Sequence, residues 1–554
     1  DPDRLKAVFR LLDARPLLAS GDLELVLWAA DYYRQPPGEA LFAALPARLR
    51  RAESLLETGL PGWRLSRRGR SAPMERLSRA PRQSALAALL REYPDGMSMR
   101  ALQGRLGECR SALRALSERG WVETCRLSEP PTASRVEGPP LNPEQMAAVD
   151  RVRMAFGAFQ AFLLEGVTGS GKTEVYIQLL LATLGAGRQA LLLVPEIGLT
   201  PQLQRRLAGR LGARLATLHS GRNAVERQHA WQLAASGQAD VVLGTRSAVF
   251  VPMPRLGLIL VDEEHDLSFK QQDGFRYSAR ELAVRGAQRA GCPVLLGSAT
   301  PSLETLQNAR SGRYALLELP QRAGGAEPPE IALIDIRGQP LRGGLSPVLV
   351  GLMREELAAG NQVLLFLNRR GFSPVVTCHD CGWVGECPHC DARLTLHLSD
   401  NRLWCHHCGL SRPIPTGCPS CSGFDIRPLG QGTERLQGEL NALFPDVPVA
   451  RVDRDSVRRK GALERLLADA RGGKYPLLVG TQMLAKGHHF PHVTLVGILD
   501  VDNGLYGSDF RAAERMAQLV IQVAGRTGRA GREGEVVIQT HHPDHPGLLT
   551  LLRE

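Results

Sequence analysis

The octapeptide Gly166-Val-Thr-Gly-Ser-Gly-Lys172-Thr173 constrains the fold of this chain more than any other stretch. Its glycine spacing, closed by Lys-Thr, is that of a loop whose backbone amides wrap a phosphate. Such a loop needs a strand before it and a helix after it, because the helix N-terminus supplies the positive potential that a phosphate meets. Both are present in the sequence: the apolar run Phe162-Leu163-Leu164 precedes the loop and a helical pattern follows it. Gly166, Gly169, Ser170 and Gly171 are expected to shape the cradle. Lys172 is expected to reach the β- and γ-phosphates of ATP, and the Thr173 hydroxyl to hold Mg²⁺.

The rest of a nucleotide site is spaced along the chain. Asp262-Glu263-Glu264-His265 follows the apolar run Leu258–Val261, so it sits at a strand end. There Asp262 is expected to hold magnesium through water, and Glu263 to polarise the attacking water as general base. Gln145, just upstream of the loop, is a candidate reader of adenine through its amide edge. Near the far end, Arg526 and Arg529 stand three apart at a helix start. Arginines held there can reach a γ-phosphate from a second lobe and stabilise its transition-state charge.

Short apolar runs alternate with helical stretches from Ala161 to Leu296, and again from Val363 to Gln539. This is the rhythm of βα units and parallel sheets. A chain of 554 residues is too long for one core,. The expected organisation is a helical segment and linker at 1–75, a winged-helix DNA-binding module at 76–130, a first α/β lobe at 141–320, and a second lobe at 321–376 and 423–554 with a cysteine-rich insertion at 377–422. A plain helical spacer is the alternative for 76–130.

Eight of the eleven cysteines fall in four Cys-x-x-Cys pairs: Cys378/Cys381, Cys387/Cys390, Cys405/Cys408 and Cys418/Cys421. Four thiolate pairs suit two tetrahedral four-Cys zinc sites, saturated with protein ligands and therefore structural. Spacing alone leaves open which pairs share an ion. A loop of this length with little apolar content cannot bury a core, so metal would supply its folding energy. His379, His389, His406 and His407 read as surface groups. Paired thiols without a secretory leader point to a reducing, cytoplasmic setting.

The net charge of +11 favours a polyanionic partner, although an arginine-rich surface gives the same number,. Directly after the acidic motif, Phe269, Lys270, Phe275, Arg276 and Tyr277 interleave aromatic rings with cations, a composition suited to stacking on bases and meeting phosphates,. Arg246 and Lys486, on loops of the two lobes, are further phosphate candidates.

Four stretches, Gly166–Thr173, Asp262–His265, Gly297-Ser-Ala-Thr300 and Gln522–Arg529, resemble motifs I, II, III and VI of superfamily 2 helicases. The stretches Leu193–Gln202, Gly244–Phe250, Phe366–Gly371 and Gly480–Phe490 narrow the resemblance to the PriA family of bacterial primosomal replication-restart helicases (primosomal protein N′). The resemblance implies two RecA-like P-loop motor lobes and 3′→5′ unwinding of DNA driven by ATP. It implies action at stalled or repaired forks, initiation of primosome assembly, and association with the nucleoid. It also implies nested zinc pairing, outer cysteine pairs on one ion and inner pairs on the other. Implied partners are forked and single-stranded DNA, single-stranded-DNA-binding protein, PriB, DnaT and the replicative helicase DnaB. Against the family pattern, the chain is expected to lack the N-terminal domain that holds a DNA 3′ end and the C-terminal domain beyond Glu554.

Overall fold

A computed structural model describes residues 16–51, 53, 55, 60–127, 136–195, 201–322, 329–367, 375–390, 392–397, 400, 402–428, 433–453, 462–481, 484, 490–506, 509–525, 527 and 534–553. The chain opens with two helices, Ser20–Tyr32 and Pro37–Ala44. Both were expected in a separate N-terminal segment. Instead Leu25, Val26, Ala29, Ala40 and Ala44 join one buried cluster with Ile259, Leu282 and Ala283 of the first lobe.

The next unit is held by an antiparallel pair, β1 (Leu60–Leu65) with β2 (Val122–Leu127). Between them run four α-helices, the short Arg67–Ser71, then Pro81–Glu92, Met99–Leu106 and Arg110–Glu118. Leu77, Leu86, Leu90, Leu102, Leu116 and Trp121 form its core. Strand β1 lies in the stretch expected as linker, so the unit starts about fifteen residues before the expected boundary at 76. Leu-Pro-Gly-Trp-Arg-Leu reads locally as a turn, and only its tertiary partner makes it a strand. A two-stranded ribbon exposes an edge on which proline is tolerated.

The first lobe carries seven parallel strands: β3 (Ala161–Gly166), β4 (Gln189–Leu193), β5 (Leu215–Leu218), β6 (Val241–Gly244), β7 (Leu256–Asp262), β8 (Val294–Ser298) and β9 (Ala315–Leu319), in the order 5-6-4-7-8-3-9. The inner strands β3, β4 and β8 are buried on both faces and read as continuous apolar runs, as parallel strands covered by helices do, whereas the edge strand β9 alternates,. Strands β3 and β7 flank β8. The phosphate loop and the acidic motif therefore leave the same C-terminal edge of the sheet as neighbours, where ligands of open α/β sheets bind.

The second lobe starts with β10 (Glu330–Asp335) and β11 (Gln362–Leu367). The cysteine-rich insertion follows, built from short antiparallel pieces: β12 (Val376–Cys378), β13 (Thr395–His397), β14 (Arg402–Trp404), β15 (Ser411–Pro413) and β16 (Ile426–Pro428). The lobe resumes with β17 (Val449–Val452), β18 (Leu477–Gly480), β19 (Val493–Leu499) and β20 (Glu535–Thr540). Its six parallel strands run in the order 10-20-19-11-18-17.

In the β1–β2 unit, a Cβ at Gly69 would fall on the backbone carbonyl of Trp121. Backbone cannot yield cheaply, so Gly69→Ala should destabilise this unit by about 1–3 kcal/mol. Urea denaturation followed by Trp fluorescence tests this, and an unchanged midpoint would show that the packing is looser than described.

Candidate functional site

The phosphate loop turns on Gly169 (φ +87°) and Gly171 (φ +83°), whose left-handed backbone suits glycine,. Helix Lys172–Gly185 starts immediately afterwards and places Thr173 in its first turn. Lys172 Nζ donates to the Gly166 carbonyl at 2.6 Å. The loop is braced from behind by Gln145, which donates to the Ser170 carbonyl at 2.8 Å. Gln145 Oε1 accepts from the Asn142 backbone N–H at 3.1 Å, closing a capping box on helix Pro143–Arg153. Gln145, the expected adenine reader, is buried here, with its amide engaged by the loop and by its own helix cap. The Ser170 hydroxyl is buried and has no hydrogen-bond partner among the described residues.

Strand β7 delivers Asp262 beside this loop. Tyr176, from the helix after the loop, donates to Asp262 Oδ1 at 3.0 Å. Burial, then the neighbouring Glu263 charge, pushes the Asp262 carboxyl up to about 7, against the opposing pull of Lys172 and Tyr176. Glu263 sits at φ +49°, and its buried Oε2 has no hydrogen-bond partner among the described residues, with His265 Nδ1 3.7 Å away. A non-glycine residue in that region costs of order 1–3 kcal/mol, and such outliers gather at functional sites. Two acids crowded in this way are a hard-oxygen site primed for a cation.

The next two residues tie this edge to the remainder of the lobe. Glu264 accepts from Arg280 Nη1 at 2.9 Å, the Ser302 backbone at 2.6 Å and Thr305 Oγ1 at 2.9 Å. His265 Nδ1 meets Ser298 Oγ at 2.7 Å. From helix Ala512–Ala524 of the second lobe, Gln522 reaches His265 Nε2 and donates to Thr300 Oγ1 at 3.0 Å. Gln518 donates to the Thr300 carbonyl at 3.2 Å, Glu514 accepts from the Leu303 backbone at 3.0 Å, and Arg511 pairs with Glu304. Gly525 lies against Thr168 of the phosphate loop so closely that a Cβ there would collide with it. Arg526, Arg529 and Lys486 lie outside the described residues.

The stretch after the acidic motif differs from its expected form. Phe269, Phe275 and Tyr277 are 2%, 6% and 4% exposed, turned into the first lobe, so as held here they present no face to a base. Lys270 and Arg276 remain on the surface. Arg246 is also redirected: its guanidinium donates to the Ser268 and Lys270 carbonyls at 3.2 and 3.1 Å and holds this loop. An alternation of rings and cations cannot say which face of a loop is inward, and here the ring face is.

The eight paired cysteines form two four-sulfur groups, Cys378/Cys381/Cys418/Cys421 and Cys387/Cys390/Cys405/Cys408, each within 4.8 Å. This is the nested pairing. Sulfur–sulfur distances of 3.5–3.7 Å match the edge of roughly 3.8 Å that four Zn–S bonds of about 2.3 Å impose,. Backbone amides point at the sulfurs, Cys408 N to Cys405 Sγ at 3.5 Å and Gly423 N to Cys421 Sγ at 3.4 Å, which favours thiolate,. The clusters therefore fit zinc. His379, expected on the surface, is buried: it meets His541 Nε2 at 3.0 Å and the Gln339 carbonyl at 2.8 Å. His541 is in turn held by Asp502 at 2.8 Å, so this chain docks the first cluster onto β20. Tyr176 and His379 were both missed as partners, since no local spacing marks either one.

Two parallel-sheet lobes that share one phosphate-loop cleft, bridged by a glutamine reaching the acidic motif, define a P-loop helicase ATPase. The family profile described as DEAD/DEAH box helicase matches residues 142–309, and the helicase conserved C-terminal domain matches 431–531. The PriA DNA helicase Cys-rich region matches 387–413, and the PriA 3′DNA-binding domain matches 1–46. The last match corrects the expectation that this N-terminal domain is wholly missing. Replication restart protein PriA of Haemophilus influenzae is 46% identical over 99% of this chain and 76% of its own length. The Bacillus subtilis protein of the same name is 42% identical over 85% of this chain, which spans 60% of that relative. The chain belongs to the PriA family of replication restart proteins.

Burial pushes the Cys292 thiol up to about 12, and Cys109 is equally enclosed. In zinc-loaded folded protein at pH 8, iodoacetamide should modify Cys125 at most. Chelation should release two zinc ions per chain and expose the eight cluster thiols to labelling. Rapid labelling of the clusters in metal-loaded protein would contradict the four-sulfur sites.

Proposed function

We propose that this chain is an ATP-driven 3′→5′ DNA helicase that acts at stalled or repaired replication forks and initiates primosome assembly there. The observation that carries the reading is Gln522: one side chain of the second lobe touches both His265 and Thr300, beside the acids of the first. A change at the nucleotide is thereby felt across the lobe interface.

Each nucleotide-site residue has a role in this reading. The backbone of Gly166, Gly169, Ser170 and Gly171 cradles phosphate, and Lys172 neutralises its charge. Thr173 and Asp262 hold Mg²⁺, which supplies Lewis-acid polarisation of phosphate oxygens when bound. Glu263 takes the proton of the attacking water. Its strained backbone, and an oxygen that accepts no hydrogen bond among the described residues, support a group kept for chemistry. Arg526 and Arg529 complete the charge stabilisation from the second lobe. The surface cations Lys270 and Arg276, with Lys486, meet backbone phosphates of forked or single-stranded DNA. The zinc insertion is structural, and with single-stranded-DNA-binding protein, PriB, DnaT and DnaB it belongs to the assembly side of the function.

Steady-state ATP hydrolysis with and without single-stranded and forked DNA tests the motor. DNA should stimulate hydrolysis, and Lys172→Ala should lower the stimulated rate by roughly a hundredfold or more. Forked DNA with a lagging-strand arm should be unwound and the matching RNA fork should not. A Lys172→Ala protein with the wild-type stimulated rate, or preferential unwinding of RNA, would overturn the proposal.

A further inference from the structure

Tyr33 stands at the C-terminal end of helix Ser20–Tyr32, far in sequence from the acidic motif, yet four contacts fasten it to the loop that follows that motif. Its hydroxyl donates to Glu281 Oε2 at 2.5 Å and accepts from the Ser278 backbone N–H at 3.1 Å. Its ring lies 4.8 Å from Lys270 Nζ and meets the Phe275 ring edge-on at 6.0 Å. Burial and the Glu281 carboxylate push the Tyr33 hydroxyl well above its ordinary value, so it remains a donor at every working pH.

These contacts grip both ends of the loop's ring-bearing half. Ser278 caps helix Ala279–Ala290, and Glu281 lies in the first turn of that helix. Between them, Arg280 links the loop to the nucleotide edge: Nη2 is 3.8 Å from Glu281 Oε1, and Nη1 donates to Glu264 Oε2 at 2.9 Å and Ser302 Oγ at 2.6 Å. Glu264 is the residue after Glu263. The same helix lines a cavity of about 290 Å³ of mixed character, with Asp22, Leu25 and Val26 on one wall and Arg188, Leu282 and Arg289 among the residues facing them.

We propose that Tyr33 is a latch and a positioning residue for DNA-stimulated hydrolysis. Through Glu281 and the Ser278 amide it holds the 266–277 loop with its rings turned inward. Single-stranded DNA gains the rings only by drawing the loop off this latch. The same movement shifts Arg280 against Glu264 and so reaches the acids at the nucleotide. The inference rests on the DNA-coupled ATPase reading above.

The test compares wild type, Tyr33→Phe and Glu281→Gln in the full chain. Tyr33→Phe keeps the ring and its packing and removes only the hydroxyl. Without DNA, amide exchange across 266–278 should quicken in both variants. The oligothymidylate concentration giving half-maximal hydrolysis should fall roughly three- to tenfold, because a held state has lost a hydrogen bond to a charged group. The rate at saturating DNA and the KM for ATP should stay at wild-type values. The double variant should match Tyr33→Phe, since without the hydroxyl the Glu281 change has no bond to Tyr33 left to remove,. Unchanged exchange in Tyr33→Phe together with an unchanged DNA requirement would overturn the latch. A wild-type protein that DNA does not stimulate would instead overturn the coupled ATPase, and exchange across 266–278 would still judge the latch.

Discussion

The rest of the structure depends on a contact between lobes, the reach of Gln522 to His265 and Thr300. The first lobe alone gathers a phosphate loop, two crowded acids and a strained Glu263. Those groups are costly to keep buried and close together, because like charges in a desolvated site oppose ionisation. The second lobe is placed directly over them. Gln522 reads His265 through one contact and Thr300 through another, while Gly525 is pressed against Thr168. Lobe position and nucleotide-site geometry are thus parts of one packing arrangement, and packed interfaces of this kind have few intermediate positions.

The zinc insertion follows a different logic. It interrupts the second lobe between β11 and β17 and, against the expectation that it could bury no core, packs Val376, Leu394, Leu396 and Leu403 into a small apolar cluster with Cys387 and Cys405, beside two four-sulfur groups suited to adding metal–thiolate bonds,. What joins it to the lobe is a polar chain, Gln339–His379–His541–Asp502, ending on Thr540 at the C-terminal end of β20. His379, His541, Asp502 and Thr540 are buried and each is partnered, which makes the insertion a fixed part of the lobe rather than a tethered knuckle,.

Legibility in the sequence followed locality. The phosphate loop, the acidic motif and the four Cys-x-x-Cys pairs could be read because their chemistry is set by spacing within a few residues. The parallel lobes could be read because doubly buried strands must be continuous apolar runs. What could not be read depended on distant partners. Strand β1 looks like a turn until β2 pairs with it. Gln145 looks like an open amide until Ser170 takes it. The rings of Phe269, Phe275 and Tyr277 suggest a stacking platform, yet Tyr33 and Arg246 hold their loop inward. His379 passes for a surface imidazole beside a zinc ligand until His541 meets it across the lobe boundary.

The most direct test of the cross-lobe account separates nucleotide binding from hydrolysis in Gln522→Ala. Binding of a fluorescent ATP analogue and turnover at saturating ATP and DNA would be measured on the same preparation. The account predicts an affinity within about threefold of wild type and a turnover lowered at least roughly tenfold, the equivalent of about 1.4 kcal/mol of transition-state stabilisation. Turnover at the wild-type level, or an affinity that falls in step with the rate, would show that Gln522 does not carry the coupling between the lobes.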